Sequence, residues 1–298
     1  MSENIKRGDA LQGHAAVLAA NIIFGLGVPV SKLLLDEWVS PMGYIVSRSI
    51  GAALIFWVVQ CFAPREKVCG KDLALIIIGG VLGFAVSQTL TAWALYYTSP
   101  VYFAILASLT PVAVLLLTVA LLMERLTWGK AIGVVAAIAG ALLLILPGSE
   151  IGVGENDRLG LLLAVLAVAT WAVYVVITRR VSAKYSAVTQ MKWMFLVSAI
   201  VTLPIMLHEG AEQPLYSAAW NWAGASEMLF IVVCATVLGY FMIPWALRRI
   251  SATTVSVYTN LQPVVTMFVA IMLGQNEFSW LLVVSCALVL LGGWLATK

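Results

Sequence analysis

Apolar residues in this chain neither alternate nor form a stripe; they run on continuously, and polar residues collect between the runs. Ten such segments lie at roughly 14–35, 42–63, 73–97, 101–123, 129–147, 159–178, 187–207, 226–247, 252–274 and 279–297. Each is close to the about 20 apolar residues that carry a helix across a hydrocarbon core. The two longest connections contain GSEIGVGENDR and HEGAEQPLYS, too short for a soluble domain. The pattern predicts an all-α integral membrane protein with ten transmembrane helices.

Charge placement tests that count, because Lys and Arg concentrate in cytoplasmic connections. One set of alternate connections and ends holds Lys6, Arg7, Arg65, Lys67, Lys71, Arg125, Lys130, Arg179, Arg180, Lys184, Arg248, Arg249 and Lys298, which is 13 of the 17 basic residues. The other set holds Lys32 and Arg158, and acidic residues such as Asp36, Glu150, Glu155, Glu209 and Glu212 gather there. An error of one helix anywhere would mix the two sets. The expectation is a multi-pass protein of the plasma (inner) membrane with both termini cytoplasmic. The run MSENIKRGDALQGH leads into an apolar stretch with no small-residue cleavage site, so the first helix is expected to be retained.

Composition agrees. Of 298 residues 62% are hydrophobic and 10% charged, with mean hydropathy +1.00; a soluble domain carries about a quarter charged residues. A net charge of +3 is too small to indicate nucleic acid as a partner. Cys61, Cys69, Cys234 and Cys286 have no metal or disulfide spacing. No metal or cofactor is expected. The lipid bilayer and a small solute are the expected partners, and the chain is expected to be a monomer or homodimer.

Offsetting the sequence against itself by 152 positions brings Ala94-Leu95 onto Ala246-Leu247, Ser99 onto Ser251, and Pro111-Val112 onto Pro263-Val264. Leu121, Trp128 and Gly140 then meet Leu273, Trp280 and Gly292. Residues 1–148 and 159–298 are therefore expected to form two repeats of five helices. An odd number of crossings inverts the second relative to the first, giving a 5+5 inverted-topology repeat of the kind secondary transporters use.

The stretch from Gly79 to Gly140 combines a Gly-rich third helix bearing Gln88, the turn Ala94-Leu95-Tyr96, Pro111, and Glu124-Arg125-Leu126-Thr127 before a Gly-bearing fifth helix. It resembles the EamA repeat of the drug/metabolite transporter superfamily, and the second copy keeps Ala246-Leu247, Pro263 and a displaced acid at Glu277. Where that family has Trp-Gly in the first helix, this chain has Phe24-Gly25. The resemblance implies a ten-helix transporter in which helices 1–4 and 6–9 surround a central cavity while helices 5 and 10 are scaffold. Gly129, Gly133 and Ala137, four residues apart on the fifth helix, fit close helix contact or the ordinary small-residue content of membrane helices.

Polar residues inside spans are costly unless partnered or wet, which makes them candidates for a solute site. The substrate-binding candidates are Asn21, Phe24, Arg48, Gln88, Thr91, Trp171, Tyr174, Tyr240, Tyr258 and Asn260. Gln88 and Tyr240 share one register position under the offset of 152. Arg48 stands about 10 Å into its helix and must face water, a carboxylate or an anionic group of the solute. Pro111 and Pro263 each free a helix carbonyl and are candidate hinges, or static kinks. Lys32 is spaced to pair with Asp36.

The function expected is alternating-access movement of a small polar or amphipathic metabolite, an amino acid or related compound, outward. An uptake permease or a multidrug exporter of the same fold is the alternative, although no Asp or Glu lies deep in a span to serve a cation exchanger. A channel or sensor stands further off. Enzyme activity is not expected: the two histidines, His14 and His208, lie near span ends, and there is no HExxH motif or deep carboxylate pair.

Overall fold

The computed structural model describes residues 2–121, 126–145, 156–209, 213–217, 221–247, 249–250, 255 and 258–297, with the backbone alone for 2–9, 145, 209, 244 and 247. Glu124, Arg125, Glu150, Glu155, Glu212, Arg248, Ser251 and Lys298, which entered the reading of charge and repeat, lie outside the described residues.

The described chain is helical, in the order α1 (Ser2–Glu37), α2 (Pro41–Phe62), α3 (Gly70–Tyr97), α4 (Pro100–Ala120), α5 (Trp128–Ile145), α6 (Asp157–Lys184), α7 (Ala187–Glu209), α8 (Trp222–Leu229 continuing through Phe230–Leu238 and Gly239–Leu247), α9 (Leu261–Met272) and α10 (Trp280–Ala296). Seven of these, among the described residues, are long and apolar enough to cross a membrane, while α5, α9 and α10 are shorter apolar helices. The ten segments expected thus divide into seven that meet the length requirement alone and three that fall short. For α9 the missing length borders on residues 251–254 and 256–257, outside the described set. Helix α6 runs past the expected end at 178 to Lys184, carrying Arg179 and Arg180 on helical backbone.

Local sequence sets the boundaries. Ser40 and Ser99 each precede a proline, and their hydroxyls accept from the amides of Gly43 (3.1 Å) and Tyr102 (3.4 Å), so a capping side chain and a preset φ start α2 and α4. Asn156, Asn221 and Ser279 cap α6, α8 and α10 in the same way. After α9, Gly274 takes φ 71°, letting the amide of Gln275 reach the Ala270 carbonyl at 2.9 Å.

Two irregularities recur at related places. Helix α3 is π-helical over Gly80–Val86, and α8 is π-helical over Phe230–Leu238. Helix α4 breaks at Ser108 and Leu109, with ψ of −8° and −6°, one residue before Thr110-Pro111; Asn260, with ψ of −13°, stands before Gln262-Pro263. The carbonyl of Ala107, which Pro111 cannot bond, accepts instead from the Thr110 hydroxyl at 2.7 Å.

Packing crosses between the halves. Helix α1 lies against α8 and α9, α6 lies against α3 and α4, α2 pairs with α7, and α5 pairs with α10. Lipid tails are as apolar as leucine, so helices associate here through close packing and hydrogen bonds. In the α5–α10 pair, a Cβ at Gly133 would sit 2.6 Å from the amide nitrogen of Ala296, and one at Gly140 would sit 2.9 Å from the Ser285 carbonyl oxygen. Glycine is what admits that contact, whereas Gly129 faces open space. Phe62, Trp128, Trp222 and Trp280 stand largely exposed at helix ends, where aromatic rings meet a membrane interface.

Candidate functional site

A cavity of about 430 Å³ lies between the halves. Its wall takes Phe24 from α1, Gln88 and Thr91 from α3, Ala107, Ser108 and Pro111 from α4, Trp171 from α6, Tyr240 from α8, and Asn260, Pro263 and Thr266 from the α9 region. A second cavity of about 180 Å³ adjoins it, lined by Arg48, Ser31, Tyr44 and Leu95, and it shares Phe24, Val28, Gln88, Thr91, Phe103 and Gln262 with the first.

The π-helical turn of α3 helps aim this wall. One extra residue in a helical turn rotates everything beyond it, and Ser87, Gln88 and Thr91 follow Gly80–Val86 directly. Ser87, also on the wall of the larger cavity, donates to the Ala167 carbonyl at 2.9 Å, tying α3 to α6. Gln88 accepts from Nη1 of Arg48 at 2.8 Å. Nε of Arg48 donates to the Thr236 hydroxyl at 2.8 Å, and Thr236 in turn donates to the Ile231 carbonyl five residues back in the π-helical part of α8. Arg48 and the Tyr240 hydroxyl also interact. Among the described residues no carboxylate lies within 4 Å of Arg48.

Aromatic rings form the other wall. Phe24 and Tyr240 meet edge to face with centroids 5.7 Å apart, and Phe84 gathers Trp171, Tyr174, Phe195 and Tyr240 around itself at 4.7 to 5.8 Å. Phe84 is fully buried behind the surface that Trp171 and Tyr240 present.

The structure brings Phe24, Gln88, Thr91, Trp171, Tyr240 and Asn260 to the larger cavity with Pro111 and Pro263, and places Arg48 on the smaller one. Three other candidates stand behind the walls. Asn21 is fully buried, donating to the Val17 carbonyl and accepting from Gln262 Nε2, both at 2.7 Å, which joins α1 to α9. Tyr174 is packed in the Phe84 cluster against Gly83. Tyr258 meets His14 Nδ1 at 3.1 Å. Sequence reasoning missed Gln262, Phe103 and Thr236. Gln262 carried a usable signal, an amide beside a helix proline and in register with Thr110; Thr236 is one hydroxyl in an apolar run and carried none.

Charged contacts cluster elsewhere. Lys32 pairs with Asp36 at 2.8 Å and donates to the Tyr96 carbonyl. Asp72 accepts from Lys184 and Tyr185. Glu66 accepts from the amide and hydroxyl of Ser186 at the start of α7. Burial alone would raise the Glu66 carboxyl, but hydrogen bonds from Thr189 and Ser186 and the charge of Lys192 hold it below the usual range. Among the described residues no three His, Cys, Asp or Glu converge as a metal site.

Two stretches of the chain, residues 11–146 and 158–298, each match the model of the EamA-like transporter family. The chain belongs to that family. As an EamA-like transporter family member with seven long apolar helices, it is a multi-pass membrane protein, and the family implies a small-molecule substrate. It is 25% identical over 286 residues to the uncharacterized transporter YyaM of Bacillus subtilis, covering 94% of this chain and 91% of that protein. It is 26% identical over 281 residues to a probable terminal-alkyne amino-acid exporter of Streptantibioticus cattleyicolor, covering 93% and 88%. A solved crystal structure superposes with a TM-score of 0.62 at 18% identity, covering 98% of this EamA-family chain and 96% of that one, which extends the likeness to the fold.

Proposed function

We propose that this EamA-family protein is a secondary transporter that exports a small polar or amphipathic metabolite, an amino acid or related compound, by alternating access. The observation that carries this reading is the cavity of about 430 Å³ whose wall comes from both halves, with a proline-marked helix break from each half on its rim. Ten membrane-spanning segments in two inverted repeats, residues 1–148 and 159–298, supply the mechanism. Support comes from the π-helical turns and helix breaks near the offset of 152, and from the exchange of first helices, α1 onto α8 and α9 and α6 onto α3 and α4. Phe24, Gln88, Thr91, Trp171, Tyr240 and Asn260 contact the solute, Arg48 anchors it, and the breaks before Pro111 and Pro263 act as hinges. Asn21, Tyr174 and Tyr258 act from behind the wall.

The outward direction draws on the exporter named among the relatives. The basic connections support a reading in which both termini are cytoplasmic and the protein sits in the plasma membrane. The test is counterflow in liposomes with purified protein and a panel of labelled amino acids and related metabolites. Saturable counterflow of at least one solute is expected, and its absence across the panel sinks the reading. Labelling of single cysteines placed at both ends and in each connection should find both termini on one face; ends on opposite faces would remove the inverted repeat.

A further inference from the structure

We infer that the solute is an amphipathic monocarboxylate, its acid group held by Arg48 in the smaller cavity and its apolar body lying between Phe24, Trp171 and Tyr240 in the larger one. The inference rests on the transport reading for the route of the solute, though not for its binding.

A guanidinium stays charged at any pH a cell reaches. Other half-buried cations have acidic or aromatic company: Lys32 pairs with Asp36, Lys192 lies over the Trp57 and Trp193 rings, and Arg249 lies over the Trp245 ring. Arg48 has neutral partners, the Thr236 hydroxyl and the Gln88 amide oxygen, each at 2.8 Å, together with the Tyr240 hydroxyl. A guanidinium has five N–H donors, and these three contacts orient its plane while leaving donors over. Residues Pro41 to Val46 and Ser49 of the same helix are buried, yet Arg48 is partly exposed, and the surface it exposes lines the smaller cavity. A charge held this way at membrane depth, oriented by neutral groups and open to a chamber, lacks the anion that would complete it.

The remaining lining selects the rest of the solute. No Asp or Glu lines either cavity among the described residues, so an ammonium group finds no ionic partner there. Phe24, Gln88 and Thr91 border both cavities, so a molecule bound at Arg48 extends past them into the larger, mostly apolar chamber. Gln88 accepts from Arg48 and lines both spaces, placing its amide NH₂ to donate to the same acid group.

The test titrates purified full-length protein in lipid nanodiscs with 3-phenylpropanoate, 3-phenylpropanamide and 3-phenylpropylamine, alongside R48Q and R48K, followed by counterflow of labelled 3-phenylpropanoate in liposomes. Wild type is expected to bind the acid about ten- to a hundredfold tighter than the amide. R48Q abolishes the difference and R48K keeps part of it. No measurable binding of the acid, equal binding of acid and amide, tighter binding of the amine, or an acid preference that survives R48Q overturns the inference. Should R48Q fail to accumulate, the ratio of acid to amide in the wild type decides. Arg48-dependent binding without counterflow leaves the carboxylate site standing and removes the transport reading; counterflow of neutral solutes without acid binding does the reverse.

Discussion

Helices α3 and α8 share one backbone device and put it to opposite uses. Each carries a π-helical stretch, Gly80–Val86 in α3 and Phe230–Leu238 in α8. In α3 the stretch is edged by Gly79, Gly80 and Gly83, and a Cβ at Gly80 would lie 2.9 Å from the Cα of Met194 on α7. In α8 the same position of the helix presents Thr236 to Arg48, and Gly239 sits under the Phe24 ring. Helix α3 is thereby fixed against α6 and α7, and its first turn is tied down further by Asp72 with Lys184 and Tyr185, next to the Glu66–Ser186 contact. Helix α8 contributes a polar contact and, at Gly239, room for the Phe24 ring of α1. A widened turn takes its role from what it faces, backbone in one case and a charged side chain in the other.

Substitutions separate those roles. Gly80→Leu has the largest expected effect, because the atom it meets is main chain and cannot swing aside. A loss of about 3 kcal/mol is expected, read as a lower melting temperature and aggregation of detergent-solubilised protein in size exclusion; a well-folded variant would show that α3 does not need this contact. Thr236→Val keeps the volume and removes the acceptor from Arg48 Nε, for about 1–2 kcal/mol. Its expected signature is weakened binding of 3-phenylpropanoate with a smaller change in melting temperature, and unchanged binding would detach Thr236 from the site. Gly239→Ala meets the Phe24 ring at 2.5 Å, a side chain that can rotate, so about 1 kcal/mol is expected, along with altered quenching of nearby tryptophan by ligand.

Glu66→Gln gives the smallest effect, under about 1 kcal/mol, by removing a carboxylate from the start of α7. The Glu66 carboxyl is lowered in the folded state, so its contribution is complete above the ordinary glutamate range and is lost as pH falls through the lowered native value. Melting temperature against pH should therefore show a shallower acid limb in the variant and the same curve as wild type at the lowest pH. A constant offset at every pH would assign the effect to packing.

Much of this was legible before any coordinates. Runs of apolar residues located most helices to within a few positions, although α1 begins at Ser2 rather than near 14 and α6 continues to Lys184 because nothing after 178 breaks a helix. Ser40-Pro41 and Ser99-Pro100 start α2 and α4 with a cap and a preset φ, a local signal that the apolar runs did not use. The cost of polar groups in hydrocarbon singled out Arg48 and Gln88, and they are bonded to each other. The reasoning was weaker on facing. Asn21 and Gln262 carry the same amide chemistry on opposing helices, yet Asn21 is sealed while Gln262 reaches both cavities.

The sequence alone determined the solvent, the helical elements and the places where a helix is capped or interrupted, because these depend on local hydrophobicity and on proline and capping groups acting over a few residues. The facing of each side chain was decided by the tertiary structure. Lipid and protein interior are both apolar, so helices in this chain carry little periodic contrast to mark an inward side, and a π-helical turn rotates every residue beyond it away from a 3.6-residue extrapolation. That is why Thr236, silent in the sequence, holds Arg48, and why Tyr174, prominent in it, stands behind the wall.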